Sequence, residues 1–241
     1  MATGSLVAGL NIWAYPRNLV FPFLLSGIAT FLSFLIIFFI KEPKRVTPEE
    51  NPIELGISGL KKIFTHKSLK SISIFYVLFS AFTFFIYWLY QPLLGNIGVD
   101  VKYYGIFSAI FNLFGILLLS QIEFVSKKIN GKTIFIILTL LSSFLYITLA
   151  AQNIPIVVVV SMLLLFGSRA IMLPIFNHIA NKEIDSKNRA TVLSSINMIE
   201  KLILVILYPI IGFLLDKSLT TTLVLLGGIT LAIPLLIKLE N

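Results

Sequence analysis

The chain has 241 residues, 57% of them hydrophobic and only 12% charged, whereas soluble domains average about 45–50% apolar and about 25% charged. With a mean hydropathy of +0.97, this composition excludes a water-soluble globular protein and points to an integral membrane protein. The absence of cysteine excludes disulfides, thiolate catalysis and cysteine-based metal sites, and the net charge of +8 acquires meaning only when sorted by loop, so no nucleic-acid partner is read from it.

In chain order, Met1–Trp13 carries no basic leader and no separate cleavage site, and its apolar stretch is too short to span. Residues 1–14 therefore read as the remnant of an incomplete transmembrane helix. Seven apolar segments of span length follow, at Leu19–Ile40, Ser71–Leu94, Tyr104–Phe124, Thr133–Ala151, Pro155–Ala180, Ala190–Leu215 and Leu219–Ile237, since about 20 helical residues match the hydrocarbon thickness. They are continuous runs, unlike the alternating segments of an outer-membrane barrel. The expected fold class is all-α, a polytopic transmembrane helical bundle, divided as a transmembrane helix at 15–41, a cytoplasmic connector at 42–70 and a six-helix transmembrane bundle at 71–241. The later connections are short, which predicts that consecutive helices pack as antiparallel neighbours.

Within the connector, Glu42–Pro52 carries three prolines and reads as flexible. Asn51–Lys70 places Ile53, Leu55, Ile57, Leu60, Ile63 and Phe64 near helical spacing beside Lys61, Lys62 and Lys67. This predicts an amphipathic helix on the inner membrane surface, where anionic lipid attracts lysine. Of the 19 Lys and Arg residues, fourteen fall on the loops of one face, three (Arg17, Lys102, Lys217) on the other, and Arg169 and Lys201 inside spans. The basic excess marks the cytoplasmic side. It predicts a multi-pass protein of the plasma (cytoplasmic) membrane with a cytoplasmic C-terminus.

Arg169, Glu200 and Lys201 lie deep within two apolar runs. A charge at that depth costs at least about 2.5–3.5 kcal/mol on insertion scales, so it must face protein or water, and by default it marks a pathway. At about 100° per residue, with Ser194 at 0°, Asn197 falls at about 300°, Lys201 at about 340° and Tyr208 at about 320°, one narrow stripe with Glu200 about 60° to its side. Either this stripe lines a cavity where Lys201 or Glu200 meets substrate or a proton, or the charges are satisfied by neighbouring helices and hold the bundle together. Arg169 is about 16 Å from Ala180 and Glu200 about 15 Å from Ala190, given a rise of about 1.5 Å per residue. These matched depths predict an Arg169–Glu200 ion pair.

Tyr87, Trp88 and Gln91 form an aromatic and amide patch just before Pro92, which by itself reads as an interfacial aromatic belt near the outer surface. Asn112 reads as an interhelical hydrogen-bonding group or a cavity residue, with the first favoured. His66 and His178 lack metal-ligand spacing, and neither a phosphate-binding glycine loop nor a Ser/His/Asp grouping is present, so no metal, no cofactor and no enzymatic chemistry are expected. Asn130-Gly131 reads as a turn, and Asp216-Lys217 as a tight external turn.

One span ending in Lys41-Glu42-Pro43, a connector with a surface helix, and then six spans resembles the second half of a major facilitator superfamily transporter. The most specific segment is Asn188-Arg189-Ala190-Thr191-Val192-Leu193-Ser194 running to Pro209-Ile210-Ile211-Gly212 and Asp216, which is similar to the arginine-initiated eleventh helix of bacterial carriers. Met1–Leu10 looks like the end of the fifth helix and Phe21-Pro22-Phe23-Leu24-Leu25 like the start of the sixth. Gly131 and Lys132 match the degenerate copy of the superfamily's glycine-rich basic loop, although Lys128 stands where the acid would be and Phe124 where the first glycine would be.

The resemblance implies alternating access, coupling to protons, a small organic substrate and an export direction. It also implies a cavity role for Tyr87 and Gln91, a cytoplasmic-loop or gating role for Gly131, Lys132 and Arg189, and lipid-facing positions for Thr133–Ala151 and Leu219–Ile237. The implied partners are the lipid bilayer, a small-molecule substrate, protons, and either the missing N-terminal half or a second copy of the chain. The alternative reading is a truncated or half-carrier chain acting only as an assembly or interaction partner.

Overall fold

A computed structural model of the chain describes residues 20–39, 52–122, 129–184 and 188–237. The expected helix remnant at 1–14, the connector at 42–51 and the basic residues Lys127, Lys128, Lys187 and Lys238 lie outside them. The described residues form nine α-helices and no strand: α1 Val20–Ile37, α2 Pro52–Thr65, α3 Lys67–Phe84, α4 Ile86–Asn96, α5 Tyr104–Ser120, α6 Gly131–Ala151, α7 Pro155–Glu183, α8 Arg189–Lys217 and α9 Leu219–Leu236. By length and composition five stretches can cross a membrane, namely Lys67–Asn96, Val101–Ser120 and the helices α6, α7 and α8, while α9 is apolar and shorter.

Local chemistry sets most of the boundaries. His66 is extended, so the amphipathic segment expected over 51–70 ends at Thr65 and Lys67–Lys70 already belong to α3. Gly98 closes α4 with φ +80°, a left-handed conformation that glycine adopts without steric cost. Asp100 caps the turn before α5 by accepting from the Lys102 amide at 3.1 Å, and that bond lowers its carboxyl pKa. The Asn130 side chain accepts from the Lys132 amide at 3.1 Å, so Asn130-Gly131 is the capped start of α6 rather than a turn. A single non-helical residue, Ser218, joins α8 to α9 and caps α9 by accepting from the Thr221 amide.

The run expected as one span over 71–94 lies within Lys67–Asn96, one stretch long enough to cross, with a single turn residue, Phe85, between α3 and α4. Just before Phe85, the Thr83 hydroxyl donates to the Phe79 carbonyl at 2.7 Å, a back-bond of the kind that bends helices. The Tyr146 hydroxyl donates to the Phe82 carbonyl at 3.2 Å, giving a partner to one of the last-turn acceptors that a helix end leaves open.

Helices α3 and α4 form the middle of the bundle. α3 packs against α2, α7, α8 and α9, and α4 against α7. Phe75, Phe79, Phe85, Ile86 and Leu89 are all within 2% of complete burial. Consecutive helices are not all neighbours: α3 stands between α7 and α8, and the most extensively packed pair among the described helices, α6 with α9, is not consecutive. In a bilayer small residues and interhelical hydrogen bonds set approach, because lipid is as apolar as leucine. The α6–α9 contact follows that rule, with Ser143 donating to the Gly227 carbonyl at 2.8 Å.

The amphipathic helix α2 docks on α8 and α3 through Gly59 and Ile63, and Ile57 and Phe64 remain outward. The described side chains of α1 are all exposed.

Candidate functional site

The site begins with small residues in α7. Gly167 lies against Phe114 and Leu118, and Gly115 of α5 against Ala170, so α5 sits tightly on one side of α7 and Arg169 projects from another towards α3. There its guanidinium Nη1 donates to the Ser80 carbonyl, to the Ser80 hydroxyl at 3.3 Å and to the Thr83 hydroxyl at 3.3 Å. Ser80 and Thr83 lie at the C-terminal end of α3, just before the single turn residue Phe85. The guanidinium also lies over the rings of Phe84 and Tyr87, at 5.0 and 5.5 Å from their centroids, within cation–π range.

Glu200 of α8 meets the same cluster from the other side. The Ser80 hydroxyl donates to its Oε1 at 2.6 Å, a short charge-assisted bond. Arg169 Nη2 stands 3.7 Å from that oxygen and Lys201 Nζ 3.9 Å from the other, electrostatic contacts beyond hydrogen-bond length. The expected Arg169–Glu200 pair is therefore present, but α7 and α8 do not form it as packed neighbours. Ser80 of α3 bridges the two, bonded to both.

Arg169, Asn197, Glu200, Lys201 and Tyr87 line one cleft of about 450 Å³, together with Tyr76 and Ser80. A second cleft of about 210 Å³, between α4, α5 and α7, holds Asn112 and shares Tyr87 and Ala170 with the first. Pro174 has no N–H to give the Ala170 carbonyl, which loosens α7 where the clefts meet. Asn112 donates to the Ser108 carbonyl of its own helix at 2.7 Å. The bond runs one turn back along its own helix, where the favoured expectation was a partner across helices.

Other expected residues lie elsewhere. Tyr208 packs its ring on Phe84, Phe85 and Trp88, and neither cleft includes it among its lining residues. Gln91 is exposed and donates to the Tyr90 hydroxyl at 3.2 Å. Gly131 and Lys132 begin α6, where Gly131 lies against Ile179 of α7. Arg189 begins α8 and donates to the Asn181 carbonyl near the end of α7, tying those two helix ends together. Sequence reasoning missed Ser80, Thr83 and Phe84; the only signal was two hydroxyls at three-residue spacing in an otherwise apolar run. Among the described residues, no group of three or more His, Asp or Glu is placed to hold a metal ion.

An all-helical, polytopic membrane bundle with a half-buried arginine paired to a buried glutamate on the wall of an open cleft belongs to the class of membrane transport proteins that expose charge only where protein or water can satisfy it. The model of the Major Facilitator Superfamily matches residues 1–206, and the chain belongs to that superfamily, a family of membrane transporters. No curated protein matches the chain.

Proposed function

We propose that the chain forms part or all of a proton-coupled secondary transporter for a small organic compound, working by alternating access in the export direction. The observation that carries this reading is the Arg169–Ser80–Glu200 cluster on the wall of the 450 Å³ cleft. A buried carboxylate and a half-buried guanidinium at mid-span are expensive as mere packing. Protonation of Glu200 removes the negative charge that Arg169 and Lys201 share, and so leaves Lys201 to meet substrate while Arg169 stays bonded to Ser80 and Thr83. The change is local, and α3, α7 and α8, which meet at Ser80, transmit it to the bundle. The basic residues at the end of the bundle formed by α2, the start of α6 and the α7–α8 junction support a cytoplasmic assignment for that end. This reading places the protein in the plasma membrane with its C-terminus inside the cell. Gly131, Lys132 and Arg189 then stand at the cytoplasmic gate.

The open side of the cleft supports a second wall. Asn197, Lys201 and Tyr208 lie on an exposed face of α8, continuous with Val205 and Ile206, which are 66% and 63% exposed. In carriers of this type the path runs between two helical halves. A further set of helices, or a second copy of the chain, covers that face in the working carrier. Cross-linking in detergent reads this directly, as a dimer or as a monomer that pairs only with a supplied N-terminal half.

The transport test is made in proteoliposomes with a trapped pH-sensitive dye, to which a panel of small organic acids, amines and neutral compounds is added. At least one member moves protons faster than in protein-free vesicles, and Glu200→Gln abolishes that movement while exchange of the same compound persists. If no member moves protons above the protein-free rate, the transport reading is wrong. If Glu200→Gln moves them as fast as the unmodified chain, the coupling role of Glu200 is wrong.

A further inference from the structure

The two clefts meet at Tyr87 and Ala170 but differ in chemistry. The first carries two cations, Arg169 and Lys201, against one carboxylate, Glu200, an excess of one positive charge. Arg169 is engaged by Ser80, Thr83 and Glu200. Lys201 is the cation left to meet a ligand, because its side chain is 65% exposed, the Glu200 carboxylate stands 3.9 Å away, too far for a hydrogen bond, and its other contact is with the Phe84 ring, 5.8 Å from the centroid.

The second cleft is lined by no charged side chain. Its floor is aromatic, with Phe111 and Phe166 buried and their centroids 5.0 Å apart. The Tyr87 ring stands edge-on to Phe166 at 4.8 Å. Ile116 and Leu119 complete the wall, and the Asn112 amide, with one N–H committed to Ser108, offers its oxygen as an acceptor there. An apolar cavity of about 150 Å³ accommodates benzene, so a cleft of about 210 Å³ holds one six-membered ring with a small polar substituent.

We propose that the transported molecule is an organic anion carrying one ring: its acid group sits on Lys201 in the first cleft, and its ring passes Tyr87 to lie against Phe111 and Phe166 in the second. This substrate class rests on the transport reading above and deepens it.

The test measures binding of three permanently charged probes to the full chain in lipid nanodiscs, by saturation-transfer NMR. Benzenesulfonate has the proposed charge and ring, methanesulfonate the charge alone, and benzyltrimethylammonium the ring with the opposite charge. Burial of the ring is worth about ten-fold or more in affinity, so benzenesulfonate binds at least that much tighter than methanesulfonate, and the cation does not displace it. Ile116→Trp, which fills the second cleft from its exposed rim, brings benzenesulfonate down to the affinity of methanesulfonate and leaves the latter unchanged. Lys201→Gln weakens both sulfonates by about ten-fold.

Equal affinities of the two sulfonates, unmoved by Ile116→Trp, overturn the ring site and leave the transport reading intact. Tighter binding of the cation than of benzenesulfonate overturns the anion class. If none of the three binds, the substrate class is wrong, and the proton-movement assay decides the transport reading separately.

Discussion

Glu200 and Lys201 are consecutive in the chain and opposite in environment: the glutamate side chain is 6% exposed and bonded to Ser80, whereas the lysine side chain is 65% exposed. One residue of helix turns a side chain by about 100°, enough to move from the α3 interface to the open cleft. Exposed charge contacts contribute about 0–1 kcal/mol, so Lys201→Gln leaves the thermal unfolding midpoint in detergent nearly unchanged. The same substitution reduces transport, because the cation that meets the ligand is gone. A large drop in the midpoint would show that Lys201 is structural.

The buried partner behaves differently. Removing one member of a buried pair costs about 3–5 kcal/mol, since the other is left as an uncompensated charge. Arg169→Ala alone therefore lowers the unfolding midpoint and the yield of inserted protein more than Arg169→Ala combined with Glu200→Ala. If the double variant is no better than the single one, the 3.7 Å contact is not the partnership that keeps these charges in the bundle.

Ser80 separates bridging from simple proximity. Its hydroxyl donates to Glu200 and accepts from Arg169, and a buried charged group left without its donor costs about 1–3 kcal/mol or more. Ser80→Ala is therefore expected to destabilise by that amount. Thr83→Val is expected to cost less, because the Thr83 hydroxyl already spends its proton on the Phe79 carbonyl. Chemical or thermal unfolding of the two variants side by side gives the order, and a reversal would place the bridge at Thr83.

How much of this was legible in the sequence depends on how rare each residue type is in its setting. Arg169 and Glu200 stood out because charge is nearly absent from the apolar runs, and the helical rise placed them at matching depth without any knowledge of packing. The arrangement that joins them was not legible. Loop length made α7 and α8 neighbours, whereas close approach in a bilayer follows small residues and hydroxyls, and these put α3 between them. Ser80 and Thr83 were invisible among the many hydroxyls of apolar helices, most of which serve only their own backbone, as Thr139 and Thr230 do here. The turn at Phe85 had no proline or glycine to announce it. The stripe through Asn197, Lys201 and Tyr208 follows the helical period, but Tyr208 meets an aromatic cluster whose members come from α3, α4 and the residue between them, a tertiary contact that a single-helix projection does not contain.

The docking of α2 on α8 gives a prediction with an internal control. A Cβ at Gly59 would lie 2.3 Å from the Ser195 hydroxyl and 3.1 Å from both the Thr191 side chain and its carbonyl, while a Cβ at Gly56 meets nothing within 4 Å. Ser195 cannot simply turn aside, because its hydroxyl is held by the Thr191 carbonyl at 2.9 Å. Gly59→Ala is therefore expected to destabilise by about 1–3 kcal/mol, the usual cost of overpacking a tight contact. It should also speed trypsin cleavage after Lys61 and Lys62 by lifting α2 from α8. Gly56→Ala does neither, since it adds a methyl to open space and favours helix through backbone entropy. Adding Ser195→Ala to Gly59→Ala removes the atom nearest the new methyl and recovers part of the loss. Equal effects of the two glycine variants on cleavage would mean that propensity, not contact with α8, holds α2 in place.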